Sequence, residues 1–253
     1  MYQDDPLTPQ IAARQISDWV RGALPALDSV AVRDTNDRLL CAAFGRAYRC
    51  FESILELASR SEADDARILS RALLSTALRS LWLVAPDDQR ERELRVGRAT
   101  MSYLKELRKM VADEEAASVV SDVDTTRLTD IIHMLEAEGV AALPNDHDLA
   151  VSLNLKPFYT RVYRPGSDTA HYSIGTALDG FLELTNSDQI GRVAVGPPSS
   201  ADAEEVLINA QLTYALFLHR CDPIIAHGLS KRVRNLLEAL LGSQPGEPRA
   251  NTT

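Results

Sequence analysis

The sequence has few of the residues that build disulfides, turns or sheets. It holds 12 Gly, 12 Pro and three Cys in 253 residues, which excludes collagen-like, disulfide-rich and turn-rich all-β chains. Cys41, Cys50 and Cys221 form no CxxC pair and fit no zinc spacing, so we expect free thiols in a reducing cytoplasm. Positive charge is also scarce: 27 Lys and Arg face 36 Asp and Glu, for a formal net charge of −9. This balance argues against a protein that coats nucleic acid or anionic membranes.

Long apolar runs and familiar catalytic motifs are absent as well. The most apolar segment, 68–84, contains Arg71 and Arg79, and it is too short and too charged to span a bilayer. The first residues resemble no secretory signal, so we expect a cytoplasmic protein that is not associated with a membrane. The sequence lacks GxGxxG, a Walker loop, HExxH and GxSxG, and we predict no cofactor.

What the sequence does have is helical periodicity. Apolar residues recur every three or four positions and predict helices at 8–22, 36–61, 66–85, 87–117, 122–138, 169–184, from Ser200 to a kink at Pro223, and 230–241. Residues 68–84 are apolar on nearly every side, which predicts the central, buried helix. Pro and Gly residues predict an irregular loop region at 139–168, and residues 185–199 a loop with at most a short hairpin.

These patterns predict an all-α fold with fewer than about one residue in ten in strands. We expect a single-domain helical bundle of six to eight helices over residues 31–242. An N-terminal helical arm (1–30) precedes it, and a disordered tail (243–253) follows it.

Two arginines interrupt the most apolar helix. Arg71 and Arg79 are separated by slightly more than two helical turns, so their side chains point within about 80° of each other. Arginine stays charged, and a buried guanidinium requires a carboxylate or several carbonyls. In one interpretation each arginine extends to solvent or pairs with a structural acid such as Glu52 or Glu56. The other places Arg71 in an internal site for a carboxylate or phosphate.

The most specific polar cluster is the run YRPGSDTAHYS at Tyr163–Ser173. Its Pro-Gly turn predicts a helix start capped by Ser167 or Asp168, where free N–H groups favour an anion. The candidate catalytic residues are Arg164 and His171. The candidate ligand-binding residues are Arg71, Tyr163, Ser167, Asp168 and Ser173. In the alternative interpretation Asp168 only caps the helix, His171 packs in its first turn and Arg164 is solvated.

Neither metal ligands nor a nucleic-acid surface stands out. Asp146, His147 and Asp148 are adjacent in a predicted loop, where such residues are usually solvated, and we predict no metal. Four basic residues share one face of the segment 87–117, either as an RNA-binding surface or as a solvated face balanced by nearby glutamates. They are Arg95, Arg98, Lys105 and Lys109.

Two motifs carry a resemblance. The apolar segment Leu69–Leu74 around Arg71, followed by the later Tyr163–Ser173 run, resembles a family of bacterial helical proteins of unknown function over roughly residues 40–185. That family has an acidic residue shortly after the arginine. Leu74–Thr76 offers none here, which argues against a shared Arg–Glu site.

Arg164 and His171, with six residues between them, also resemble the R-x(4–6)-H motif of the HEPN ribonucleases, which are small helical bundles. Arg220 and His227 match the same motif, and in both cases the usual polar residue after the Arg is missing. This resemblance implies a metal-independent ribonuclease that acts as a homodimer in stress or phage defence. The His would transfer protons at a ribose 2′-OH and the Arg would bind the phosphate.

The sequence leaves two main functions open, and with them the question whether the protein is an enzyme. The first is a regulatory or interaction module with an anion-binding pocket, whose partner is a protein or a small anion. The second is the ribonuclease, with RNA as partner. A small-molecule enzyme has the least support, because no nucleophile–base pair is present in the sequence.

Overall fold

The helices predicted from periodicity are present. The computed structural model describes residues 7–27, 35–116, 124–170, 182–184, 190–193, 200–221 and 228–242. Within these ranges it contains nine helices and one antiparallel pair of short strands. The elements are α1 (Pro9–Leu27), α2 (Thr35–Ser59), α3 (Ala63–Val84), α4 (Gln89–Ala116), α5 (Thr125–Ala137), α6 (Asp146–Ser152), α7 (Lys156–Ala170), β1 (Leu182–Leu184), β2 (Ile190–Val193), α8 (Ser200–Cys221) and α9 (Leu229–Gly242). The all-α prediction is confirmed, with one helix more than the predicted upper limit.

Local signals in the sequence place several helix ends. Thr8 caps α1, since its Oγ1 accepts a hydrogen bond from the backbone N–H of Ile11 at 3.2 Å. Gly139 follows α5 with a φ of 75°, a conformation that glycine adopts without steric cost. The predicted end of the first helix at residue 22 is wrong, because α1 continues to Leu27 with Pro25 in its last turn.

Helix α3 is the central helix of the described structure, as predicted. One of its faces, which includes Leu73 and Ala77, packs into the main core with α1, α2, α8 and α9. Another face carries Leu74, Leu78 and Trp82, which pack against α6 and α7. A helix covered on both sides must be apolar nearly all round, which is the composition that predicted its burial.

The main core joins the first and last helices of the chain. Ile16 of α1, Phe51 of α2 and Tyr214 of α8 are fully buried in it, and the rings of Phe51 and Tyr214 stack with centroids 4.8 Å apart. The helix of the predicted N-terminal arm therefore shares a core with the bundle. The predicted tail, 243–253, lies outside the described residues.

Helices α4 and α5 pack mainly on each other. Their small core contains Met101, Leu128 and Ile132 and is separate from the two clusters around α3. Arg95 anchors the start of α4 to α3, because its Nη1 donates to the backbone carbonyl of Trp82 at 2.6 Å and its guanidinium lies over the Trp82 ring. This pair leaves the middle of α4 free to diverge from α2 and α3.

The predicted loop region at 139–168 is wrong, because it contains α6 and most of α7. Asn145, which indicated a turn, caps α6 by accepting a hydrogen bond from the backbone N–H of Asp148. Pro157 occupies the first turn of α7, where a proline costs no helical hydrogen bond. Burial of Leu149 and Val162 against α3 outweighs the remaining turn signals.

The predicted helix at 169–184 is wrong at both ends. Residues up to Ala170 belong to α7, and Leu182–Leu184 form β1, which pairs with Ile190–Val193. Residues 171–181 lie outside the described residues, as do Pro223 and the predicted kink. The hairpin that the sequence allowed near 185–199 is present as β1 and β2.

Replacing Leu73 by Ala tests the central position of α3. Leu73 is fully buried, so Leu73→Ala should lower the free energy of unfolding by about 2–5 kcal/mol through the cavity it leaves. Denaturant unfolding followed by circular dichroism measures this change. Ile68→Ala on the same helix is the control, because Ile68 is 37% exposed and should cost much less. Equal losses for the two variants would contradict the assigned burial.

Candidate functional site

Arg71 of α3 and Tyr163 of α7, two of the residues singled out in the sequence, form a direct contact. The Arg71 Nη2 donates to the Tyr163 hydroxyl oxygen at 2.7 Å. Its guanidinium carbon also lies 4.4 Å from the centroid of the Tyr163 ring. Both side chains are half-buried. The contact arises because α7 packs along α3, which brings together residues that are 92 positions apart in the chain.

A row of rings continues from this contact to α6. The rings of Tyr163 and Tyr159 stack with centroids 4.5 Å apart, and the rings of Tyr159 and His147 lie edge to face with centroids 5.8 Å apart. We call Tyr163, Tyr159 and His147 the aromatic row. Burial raises the pKa of Tyr159, and the neighbouring Tyr163 phenol and Asp146 carboxylate raise it further. Tyr159 is therefore an un-ionised phenol near neutral pH.

Arg79, another arginine of α3, binds a carboxylate at the far end of the row. The Arg79 Nε donates to the Asp146 Oδ1 at 3.1 Å. Asp146 starts α6 and its side chain is only 11% exposed, whereas that of Arg79 is 55% exposed. The two arginines that interrupt the apolar helix thus face α7 and α6, where their polar ends find partners.

Arg71 differs from the other well-packed arginines of the described structure. Arg67 binds Asp64 and Asp202, and Arg95 binds Glu91. Arg71 forms no ion pair with any carboxylate that the structure describes, and its hydrogen-bond partner there is the phenol of Tyr163. The expected carboxylate from the preceding helix is therefore not among its partners.

Both proposed acids are engaged elsewhere. Glu52 accepts hydrogen bonds from Ser17 and Arg21, and Glu56 forms an ion pair with Arg60. The prediction that a structural acid of α2 neutralises Arg71 is wrong, because these side chains project toward α1 and toward solvent rather than toward α7.

The contact leaves binding capacity for an anion. A guanidinium has five N–H donors, and a phenol that accepts one hydrogen bond can still donate its own proton. Arg71 and Tyr163 thus offer guanidinium and hydroxyl donors at one half-buried site beside the aromatic row. Such donors bind the oxygens of a carboxylate or phosphate, and arginine can do so in a bidentate manner.

The remaining predicted site residues lie along or beyond α7. The backbone of Arg164, Ser167 and Asp168 belongs to α7, but their side chains lie outside the described part of the structure, as do His171 and Ser173. The predicted helix start at Ser167 or Asp168 is wrong, since α7 runs from Lys156 to Ala170. Backbone N–H groups at 167–169 therefore belong to the last turns of a helix and not to a first turn that could bind an anion.

Tyr159 and His147 were not predicted from the sequence as neighbours of Arg71 and Tyr163. A signal for Tyr159 was present, because Tyr159 and Tyr163 are four residues apart and share one face of a helix. It was obscured by Pro157 and Pro165, which suggested a loop. Nothing in the sequence could have indicated His147, which reaches the row only through the packing of α6 against α7.

The other candidate groups have ordinary surroundings. His147 Nδ1 lies 3.3 Å from Asp148 Oδ1, but the described residues contain no cluster of three possible metal ligands. The cysteines are free thiols, and burial raises the pKa of Cys41 and Cys50, so both are protonated near neutral pH and are weak nucleophiles. None of the described helices is long and apolar enough to cross a membrane.

The basic face of α4 is partly neutralised. Arg95 binds Glu91 at 2.9 Å, and Lys105 binds Glu136 of α5 at 2.8 Å. Two of its four basic side chains therefore already have carboxylate partners, which favours the balanced surface over an RNA-binding face.

The comparisons with known proteins agree with the first resemblance. Residues 37–190 match the family described as a family of unknown function (DUF5677). Neither the comparison with curated proteins nor that with solved structures gave a match. The matched residues include most of α2 and all of α3 to α7, and with them Arg71, the aromatic row and the Arg79–Asp146 pair. Since the match covers more than half of the chain, the protein belongs to this family of unknown function.

Proposed function

We propose that the protein is a helical regulatory or interaction module that binds a small anion, a phosphate or a carboxylate, at Arg71 and Tyr163. The observation that carries this proposal is the partner of Arg71: a half-buried guanidinium that holds a phenol where other packed arginines of the described structure hold carboxylates. An anion at this place would provide the negative charge that a guanidinium removed from water requires.

The chemistry of the pair suits an anion that carries several oxygens. Arg71 is held at one nitrogen by the Tyr163 hydroxyl, and this bond together with the ring contact limits the positions of the guanidinium. A group that is positioned in advance loses less entropy when a ligand binds. Its remaining N–H donors and the Tyr163 proton can then bind two oxygens of one ligand.

Further residues of the proposed site lie along α7. Ser167 follows Tyr163 by four residues in a continuous helix, so the two positions lie on the same face of α7. Asp168 lies one position further around. In our proposal Ser167 contributes to the ligand side, as the sequence predicted, and an ion pair from Asp168 to Arg71 is the competing arrangement.

We place this module in the cytoplasm of a bacterium. Support comes from the three free thiols, which suit a reducing compartment, and from the resemblance to bacterial helical proteins. Binding at Arg71 requires residues of one chain alone, and the expected partners are a small anion or an anionic group on a protein.

Inorganic phosphate and sulfate are the probes for this site. A ligand at one hundred times its Kd stabilises the folded state by about 2.7 kcal/mol, so both ions should raise the Tm of the wild type in thermal melts at constant ionic strength. Arg71→Gln should remove this rise. Tyr163→Phe keeps the ring but removes a hydrogen bond worth about 1.5–3 kcal/mol with a charged donor, and it should weaken the rise.

Arg60→Gln is the matched control, because Arg60 is exposed and binds Glu56 at the far end of α2. It should retain the full stabilisation by phosphate. An equal rise in Tm for Arg71→Gln and Arg60→Gln would reject the site. A phosphate response that appears only in Asp168→Asn would show that Asp168, rather than a ligand, neutralises Arg71.

The ribonuclease is the second candidate function, and it depends on Arg164 and His171. The structure places Arg164 in the last two turns of α7, one residue after Tyr163 of the proposed anion site. A phosphate bound beside Tyr163 would therefore lie next to Arg164, the first residue of the Arg164–His171 motif. The ribonuclease and the anion-binding module would then use neighbouring residues.

Incubation with total RNA in the presence of EDTA tests it. A metal-independent ribonuclease should cleave RNA as wild type and lose this activity in His171→Ala, which removes the proton-transferring group. His133→Ala is the control, since His133 is an exposed residue of α5 and should leave cleavage unchanged. RNA that stays intact with the wild type, or equal cleavage by His171→Ala, would exclude the mechanism.

A further inference from the structure

A groove separate from the Arg71 site lies between α2, α3 and α4. It has a volume of about 480 Å³. Its apolar lining includes Leu39 and Ala43 of α2, Leu83 of α3 and Ala99 of α4. Charged side chains also line it: Arg46 of α2, Arg79 of α3 and Glu106 of α4.

The groove exists because α4 packs mainly on α5 and makes fewer contacts with α2 and α3. Met101 is fully buried in the small core between α4 and α5. The next residue, Ser102, lines the groove and accepts a hydrogen bond from the backbone N–H of Leu143 at 2.7 Å, which holds the chain after α5 beside the groove. These two contacts hold the α4 wall of the groove in place.

We propose that this groove binds a small organic carboxylate with an apolar body. Its volume lies within the range of about 300–1,000 Å³ that is usual for small-molecule sites. The leucines and alanines would bury the apolar body, and the arginines would bind the carboxylate. This inference is independent of the anion site at Arg71.

Two arginines are available for the carboxylate. Arg46 is exposed and forms no ion pair or hydrogen bond with the residues that the structure describes. Arg79 uses its Nε for Asp146, which positions the guanidinium and leaves its two terminal nitrogens for a ligand. Arg46 and Thr76 are equally far along the chain from the turn between α2 and α3, so they lie at the same height on these two antiparallel helices. Arg46 is therefore about one helical turn from the level of Arg79.

Glu106 influences which ligand charge the groove favours. It is exposed on the α4 wall and has no ion pair with Arg46 or Arg79. Arg79 already pairs with Asp146, so Arg46 is the positive group of the lining that has no carboxylate partner among the described residues, which favours a single negative charge on the ligand. A like charge weakens binding, so removal of Glu106 should tighten the binding of a carboxylate and weaken that of a cationic or zwitterionic ligand.

Octanoate is the probe, with octanol and octylamine as compounds of equal chain length and different charge. Isothermal titration calorimetry on the full chain should show binding of octanoate that is at least ten-fold tighter than that of either control compound. Arg46→Gln should weaken octanoate binding about ten-fold. Arg49→Gln, an exposed arginine of the same helix that does not line the groove, should leave it unchanged.

Two further variants test where octanoate binds and how the charge of the lining affects its binding. Ala42 is an exposed residue that lines the groove, so Ala42→Trp should block octanoate without disturbing the core. Glu106→Gln should bind octanoate more tightly. Retained binding in Ala42→Trp, unchanged binding in Arg46→Gln, or weaker binding in Glu106→Gln would each overturn the proposal.

The same variants separate this groove from the proposed anion site. Arg71→Gln should keep its octanoate affinity, and Arg46→Gln should keep its stabilisation by phosphate. Loss of octanoate binding in Arg71→Gln, with Arg46→Gln unaffected, would assign the carboxylate to the Arg71 site and reject the groove.

Discussion

A charged residue on a helix that is covered on both sides must find its partner on another element, and this constraint organises the described structure. Helix α3 packs against the main core with one face and against α6 and α7 with another. Arg71 and Arg79 find their polar partners where α6 and α7 approach α3. Tyr163 and Asp146 provide these groups. Desolvation of an unpaired guanidinium would cost several kcal/mol, so such contacts are needed for α3 to be buried at all.

Arg71 and Arg79 meet this requirement in different ways, and the proposed anion site follows from that difference. Arg79 has a carboxylate partner and an exposed side chain, so its ion pair contributes little to stability, about 0–1 kcal/mol. Arg71 is half-buried and holds a neutral phenol. Its positive charge is balanced by no carboxylate that the structure describes, which is the property expected of a place for an anionic ligand.

The short helix α6 connects the two proposed sites. Asp146, in its first turn, holds Arg79 beside the groove, and His147, the next residue, contacts the aromatic row that leads to Arg71. The position of α6 depends on Leu149 and Ala150, which are buried against α3. A ligand in the groove that draws on Arg79 and a ligand at Arg71 would therefore share one supporting element, although they contact different side chains.

The sequence by itself determined the helical class and the central place of α3, and it singled out Arg71 and Tyr163 as separate candidate residues, because periodicity, an isolated charge in an apolar segment and a polar run are local properties. It failed at 139–168, where Pro157 and Asn145 act as helix-start residues and burial against α3 outweighs the local turn signals. Only the tertiary structure decided that a phenol rather than Glu52 meets Arg71, and that α4 leaves a groove beside α2. Both depend on which helices become neighbours, and contacts between residues far apart in the chain follow from the packing of whole faces rather than from spacing along the sequence.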